Sequence, residues 1–343
     1  MLTASAQCVN PLEELLETAR TLSGAAPSWF TALSTALLPE PPDNAALCTG
    51  RSGLNYDATP IQFCIGSSED GLQFRILADP ALNLAIPLER YRASLSSMHQ
   101  VVALTASGDL LETLQRTLLL NLPSREDEME QYPEGVMWLA ASLNGPGCAM
   151  YIDARRGGSE IAYDRARAWM TAVAGDTADV DLLMNGLQNE RLLCLGNEGV
   201  SRNHSRAKFY WRLRQLEPLR THWLPGFRDE AFCRFTSLCM ETRFIRTEGL
   251  VFSAGVHPPT GRLADCKLDV CCCRNCLHYS ADEAVRVCDS ITREFGLASV
   301  PLSAALEQAE LAFLGFGVDS SGAFRLNVYL KQRPGQTTPS LIS

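Results

Sequence analysis

Hydrophobic positions along this chain recur with two periods, and the periods return in a fixed order. Near the start, Asn10, Pro11 and Glu13 form a helix-opening signal, Leu12, Leu15, Leu16 and Ala19 follow at helical spacing, and Gly24 stops the run. A second helix is predicted over about 27–38 and ends in the proline-rich stretch 39–42. Two strand-like runs follow at 54–67 and 72–77, joined by Ser67, Ser68, Glu69, Asp70 and Gly71. The order helix, helix, hairpin then repeats.

Helical periodicity covers 87–105 and 109–122, and strands at 136–143 and 148–155 flank the turn Asn144, Gly145, Pro146 and Gly147. Helices at 159–174 and 178–190 precede strands at 191–195 and 207–214. A weaker helical pair at 216–222 and 229–243 leads to strands at 250–257 and 263–273. The last unit places helices at 281–295 and 302–311 before strands at 312–319 and 324–331. The tail from Arg333 to Ser343 is rich in Pro, Thr and Ser and is expected to be disordered, leaving 1–331 as one domain.

Five hairpins make ten strands, and antiparallel hairpins that leave no edge must close on themselves. The predicted fold is α+β: a ten-stranded antiparallel barrel of five repeats, with helices outside. Ten strands enclose more space than the roughly eight whose side chains just fill a barrel, so a ligand-sized lumen is expected.

Residues two apart on a strand share a face. In 207–214, Lys208, Tyr210, Arg212 and Arg214 oppose the apolar Phe209, Trp211 and Leu213. In 263–273, Asp265, Lys267, Asp269 and Cys271 oppose Cys266, Leu268 and Val270. Arg325, Asn327, Tyr329 and Lys331 oppose Phe324, Leu326, Val328 and Leu330. Gln73 and Arg75 oppose Phe74 and Ile76, while Tyr151, Asp153 and Arg155 align. One such strand reads equally well as the solvated face of an ordinary sheet. Several strands with a cation or tyrosine at mid-strand point to a shared cationic site.

Composition narrows the function. Hydrophobic residues make up 46% and charged residues 20%, as in a soluble globular protein. A net charge of −9 argues against nucleic-acid binding and against docking on anionic membranes. No apolar run reaches the roughly 18 residues of a membrane span. The first eight residues, MLTASAQC, lack the basic start and apolar stretch of a signal peptide, so a cytoplasmic protein is expected. Thirteen cysteines in such a protein are free thiols or metal ligands. Cys266, Cys271, Cys272, Cys273 and Cys276 crowd together near His278, but only Cys273 and Cys276 form a C-x-x-C and no second pair stands at zinc spacing. Packing thiols and a metal site are the two readings.

Four cations, Arg75, Lys208, Lys267 and Arg325, in a partly dry cavity call for an anion of high charge. A diphosphate meets that need through charge-assisted hydrogen bonds. Tyr151, Tyr210 and Tyr329 add hydroxyl donors and ring faces that shield a cation. Holding a diphosphate and sheltering a carbocation is what prenyl transfer requires. No P-loop, G-x-G-x-x-G fingerprint, G-x-S-x-G elbow or DDxxD motif is present.

With that order of elements the chain resembles the ABBA-barrel prenyltransferases over about residues 10–331. The stretch Asn55, Tyr56, Asp57, Ala58, Thr59, Pro60, Ile61, Gln62, Phe63, Cys64 resembles the N-x-D-G-[ST]-P-[LI]-Q pattern of the cyanobactin peptide prenyltransferases. The resemblance implies a diphosphate clamp of Arg75, Lys208, Lys267 and Arg325, with Tyr210 and Tyr329 in the tyrosine shield. It also implies an isoprenoid diphosphate co-substrate and a peptide acceptor. Two departures matter. Gln62 stands where indole-prenylating relatives carry a glutamate, and it cannot act as a base. Asp265 and Asp269 flank Lys267, where relatives show arginine and tyrosine. Three readings of the aspartates stand: they neutralise neighbouring cations, they hold magnesium, or they orient and deprotonate a cationic acceptor such as an arginine guanidinium. Asp153 and Glu198 are reserves for that base. The rival functions are prenylation of a free aromatic or amino-acid-derived small molecule, and a non-catalytic anion-binding barrel.

Overall fold

The computed structural model describes residues 10–39, 52–55, 57–123, 125–132, 136–155, 158–174, 176–214, 229–240, 249–273 and 276–333. The predicted helix at 216–222, the tail beyond Arg333, the N-terminal residues 1–9 and Tyr56 lie outside them.

Ten antiparallel strands close a barrel in which every strand pairs with its neighbours in sequence and β1 pairs with β10. They are β1 (Ile61–Ser68), β2 (Gly71–Ala78), β3 (Met137–Ser142), β4 (Cys148–Asp153), β5 (Arg191–Ser201), β6 (His204–Arg212), β7 (Leu250–His257), β8 (Arg262–Cys271), β9 (Ala309–Asp319) and β10 (Phe324–Gln332). The outer layer holds α1 (Pro11–Ser23), α2 (Pro27–Leu37), α3 (Pro87–Leu104), α4 (Leu111–Asn121), α5 (Gly158–Val173), α6 (Ala178–Gly186), α7 (Asp229–Met240), α8 (Ala281–Glu294) and α9 (Leu302–Leu306). The ABBA barrel expected from the order of elements is the observed fold.

Local chemistry accounts for the helix ends. The Asn10 side chain accepts the Leu12 N–H at 3.0 Å and Pro11 starts α1, while Gly24 ends it in the left-handed region at φ 66°. Ser280 and Glu283 cap α8 reciprocally. The helices pack their apolar stripes on the outer strand face, where Phe209, Trp211, Phe252, Leu268 and Phe316 are completely buried. Ring contacts such as Trp169 with Phe209 at 5.4 Å and Phe235 with Phe316 at 5.2 Å knit the two layers.

Several boundaries differ from expectation. The first strand starts at Ile61 rather than near residue 54. The Asn55 amide donates to the carbonyls of Thr59 (2.8 Å) and Ile61 (3.1 Å), and Ala58 adopts φ 64°, so residues 52–55 and 57–60 form a latched loop. β5 runs on to Ser201 rather than stopping at residue 195, because its glycines and Asn197 remain in register with β4 and β6. β6 starts at His204 rather than Ala207. α9 ends at Leu306 rather than residue 311, because Ala309 already pairs with Gln332 in the ladder.

All five hairpin turns lie at one end of the barrel, and the helical connections at the other. This polarity gives the lumen two distinct mouths.

Candidate active site in the barrel lumen

The lumen face carries charge on five strands. Lys208 on β6 is 1% exposed, and its ammonium donates to Asp265 Oδ1 on β8 at 2.5 Å. Arg206, two residues back on the same face, bridges the other oxygen of Asp265 and Glu198 Oε1 on β5, the latter at 2.7 Å. Arg75 on β2 reaches the same Glu198 oxygen at 2.5 Å. Lys267 on β8 pairs with Asp269 Oδ2 at 2.7 Å. Arg325 on β10 makes no ion pair among the described residues, and its buried Nε has no partner. Five cations (Arg75, Arg206, Lys208, Lys267, Arg325) therefore face three carboxylates (Glu198, Asp265, Asp269), an excess of two positive charges in this set.

Glycines make the close approaches possible. A Cβ on Gly315 would lie 2.0 Å from Asp269 Oδ1, and one on Gly255 would lie 2.7 Å from Asp265 Oδ1. Any larger residue at either position would push its carboxylate off its lysine.

The ionisation states follow from opposing effects. Burial raises the pKa of Glu198, but Arg75, Arg206 and Lys208 outweigh it and hold the carboxyl well below its ordinary range. Asp265 is lowered in the same way, with Lys208, Arg206 and Arg325 overcoming burial. Burial lowers the pKa of Lys208, and Asp265 only partly offsets it. Glu198 holds the Arg75 guanidinium firmly charged against burial.

Toward the helical end the lining turns aromatic. Tyr151 and Tyr210 meet edge to face at 5.5 Å. The Lys267 ammonium lies 5.6 Å from the Tyr210 ring centre and 4.9 Å from that of Tyr329, and it donates to the Tyr329 hydroxyl at 2.7 Å. Burial raises the pKa of all three tyrosines, so they remain neutral hydroxyls. Trp138 and Phe313 complete a chamber with about 1140 Å³ of empty space, mouth included. A pocket where a cation already rests between two tyrosine rings suits a second, transient one.

Of the ten residues singled out from the sequence, Gln62, Arg75, Tyr151, Lys208, Tyr210, Lys267, Asp269, Arg325 and Tyr329 line this chamber. Asp265 lies behind it, closed off by Lys208 and Arg206. The two aspartates do not converge on one cleft: each is held by its own lysine. Gln62 faces the chamber but spends its amide on the wall, donating to Asn55 Oδ1 at 2.6 Å and Leu54 O at 3.4 Å. The motif residues Asn55 and Gln62 thus fasten the loop 52–55 to the barrel.

Arg206 escaped the sequence reading, and Glu198 figured only as a reserve base. Extending the alternation of Lys208 and Tyr210 by one step would have exposed Arg206; placing the strand start at Ala207 cut it off. Magnesium does not fit this donor set: each lumen carboxylate is occupied by a cation, and no group of three metal-binding side chains exists among the described residues. Cys271, Cys272 and Cys273 are buried, with Cys276 beside them, and belong to the same statement. No helix among the described residues is long and apolar enough to cross a membrane.

No protein-family model matches the chain, and no curated protein does. Solved structures match over almost its whole length. The prenyltransferase PriB, in a ternary complex with L-tryptophan and dimethylallyl thiolodiphosphate, is 19% identical, covers 96% of this chain and 98% of its own, and superposes with a TM-score of 0.74. The 5-dimethylallyl tryptophan synthase from Streptomyces coelicolor, in complex with DMASPP and Trp, is 16% identical over 97% of both chains, with a TM-score of 0.77. AnaPT from Neosartorya fischeri is 12% identical over 95% of this chain and 93% of its own, with a TM-score of 0.70. At these identities the likeness establishes the fold.

Proposed function

We propose that this protein is a cytoplasmic prenyltransferase that moves an isoprenoid from its diphosphate to an electron-rich aromatic acceptor. The observation that carries this reading is one enclosed lumen in which an excess of buried cations adjoins three neutral tyrosines. The diphosphate of the donor binds among Arg75, Arg206, Lys208, Lys267 and Arg325, drawing its hydrogen bonds from guanidinium and ammonium groups. The allylic C–O bond breaks heterolytically and its electron pair leaves on the diphosphate, whose new charge the same cations stabilise. Tyr151, Tyr210 and Tyr329 turn their rings to the allylic cation and exclude water from it. The acceptor ring attacks the cation, and a proton then leaves the ring carbon. Asp269 lines the chamber, but its Oδ2 is held by Lys267 and its Oδ1 packs against Gly315, so the released diphosphate is the base that takes it.

The acceptor follows from which carboxylates are open. An arginine guanidinium would need a free carboxylate fork, and Asp265 and Asp269 are each committed to a lysine. An aromatic ring needs the apolar chamber of Trp138, Tyr151 and Leu77. The solved neighbours that hold tryptophan make it the first acceptor to try. A peptide acceptor retains one support, the likeness of residues 55–64 to the cyanobactin pattern, and residues of that stretch latch the chamber wall. Magnesium has no ligand set on this reading, so chelation leaves donor affinity unchanged.

The test is mass spectrometry of the purified protein with dimethylallyl or geranyl diphosphate. The acceptors are L-tryptophan, L-tyrosine and cyclic peptides with Arg, His, Trp or Tyr as sole nucleophile. A gain of one prenyl mass on an aromatic acceptor is expected. Gain on the arginine peptide alone would overturn the acceptor class, and no gain with any acceptor, in folded protein that binds diphosphate, would overturn catalysis.

A further inference from the structure

The charged layer has a second side. Beyond it, at the hairpin end, lies another chamber with about 1400 Å³ of empty space, mouth included. Arg75, Glu198 and Arg325 line both chambers, so the layer is the partition between them. The two linings differ in kind. The hairpin-end chamber presents Arg75, Arg206 and Arg325 with the imidazoles of His204 and His257, against the single carboxylate of Glu198. Among the described residues its lining has no Tyr, Trp or Phe, so neither an isoprenoid chain nor an aromatic acceptor finds a surface there. A bare polyanion does. The chamber reaches Gly145 and Asn203 in the turns and Val200 near the end of β5, all exposed, so it opens to solvent.

Resting on the prenyl-transfer reading, we infer that the hairpin-end chamber is a second anion site continuous with the clamp, through which inorganic diphosphate leaves. After transfer, the prenylated acceptor fills the aromatic chamber and stands between the diphosphate and the helical mouth. The hairpin mouth stays clear. Arg75 and Arg206 are the groups that pass the anion across: their side chains remain 19% and 27% exposed, and both rest on Glu198. A diphosphate that replaces Glu198 on these guanidiniums moves one step toward the far mouth while keeping charge-assisted hydrogen bonds. The two products thus depart in opposite directions.

The experiment measures binding and release of inorganic diphosphate by stopped-flow tryptophan fluorescence, Trp138 being in the clamp's chamber. A double variant, Val200→Glu with Asn203→Asp, adds two negative charges at the exposed hairpin mouth. Leu54→Glu adds one at the aromatic chamber. If diphosphate travels by the hairpin end, the double variant slows both association and dissociation by about threefold or more, with little change in Kd. Salt at about 0.5 M removes the difference, whereas a merely structural change would persist. Leu54→Glu, whose charge stands inside the binding chamber, then weakens diphosphate by speeding its dissociation and does not slow release. Slowing by Leu54→Glu and not by the double variant would overturn the route while leaving prenyl transfer standing. Diphosphate that failed to bind the unaltered protein would overturn both.

Discussion

The two faces of the barrel meet opposite physical demands with the same backbone. On β6, Phe209 and Trp211 point outward into a dry helical layer, while Arg206, Lys208 and Tyr210 point inward into a charged lumen. The outer face is stabilised by burial of large apolar surface and tolerates no cavity. The inner face carries a cost, because buried ions recover their desolvation penalty only through tight pairing. An unmatched excess of cations inside such a barrel is therefore a strained arrangement that the outer face sustains. On the proposed reading, the diphosphate of the donor completes it. The comparison teaches that stability and function are divided between alternate residues of one strand, and substitutions can separate them.

The largest effects should show that division directly. Trp211→Ala opens a large cavity in the outer layer and should cost about 3–5 kcal/mol, read as a fall in Tm or denaturation midpoint. Diphosphate affinity of the remaining folded protein should be unchanged. Lys208→Met refills the volume and leaves Asp265 its bond to Arg206, so less stability is lost. Diphosphate binding should nevertheless weaken about a hundredfold, because a fully desolvated charged contact is removed. Equal losses of affinity in both variants would break the comparison.

A smaller effect separates the faces by pH. Glu198 and Asp265 have folded pKa values below their unfolded ones. The stability each contributes is present above the unfolded value, near pH 4, and is lost as pH falls through the folded value. Stability should hence decline as the solution is acidified below about pH 4.5. Glu198→Gln should be less stable than the unaltered protein at pH 7, by about 2 kcal/mol, and its decline below pH 4.5 should be shallower. A parallel decline in both proteins would place the acid-sensitive carboxylates elsewhere.

Smaller again is the effect of the tyrosine ring. Tyr329→Phe keeps the ring near Lys267 but loses the hydroxyl that accepts from its ammonium. Prenyl transfer should fall by a few-fold. Tyr329→Leu also removes the ring face, worth about 0.5–2 kcal/mol, and transfer should fall by about tenfold or more. If both variants lose equally, the hydroxyl matters and the ring does not shelter the cation.

Much of this division was legible in the sequence. Alternation alone assigned Phe209 and Trp211 to one face and Lys208 and Tyr210 to the other, because a period of two admits no other arrangement on a strand. Five recurring hairpins gave the closed barrel, because unpaired edges are unstable. What could not be read was which ions meet. Arg206 and Glu198 lie on neighbouring strands, but Asp265 and Lys208 are 57 positions apart with β7 between their strands. Partner choice across a lumen is a property of barrel diameter and side-chain reach, which leave no local pattern. Residues 54, 55 and 57–60 fall in the expected strand yet form a loop, for a related reason. Its apolar residues suggest pairing, but the side-chain bonds of Asn55 compete with the ladder.

The smallest expected effect lies at Gln62, where wall and acceptor chemistry overlap. Its amide donates to Asn55 and to Leu54, so it belongs to the fold as much as to the site. Gln62→Glu removes the donor and sets two oxygen acceptors against the new carboxylate. The loop 52–55 should loosen at a cost of about 1 kcal/mol, measured as faster proteolysis near Leu54 and a slightly lower Tm. The same carboxylate, however, is a charged and stronger acceptor for an N–H from a ring in the chamber than the amide oxygen it replaces. If the acceptor is an indole, kcat/KM for tryptophan should rise despite the loosened wall. If it is a phenol or another ring without an N–H, activity should fall in step with stability. The sign of one kinetic change thus distinguishes indole from other aromatic acceptors, at a residue whose present bonds serve only the wall.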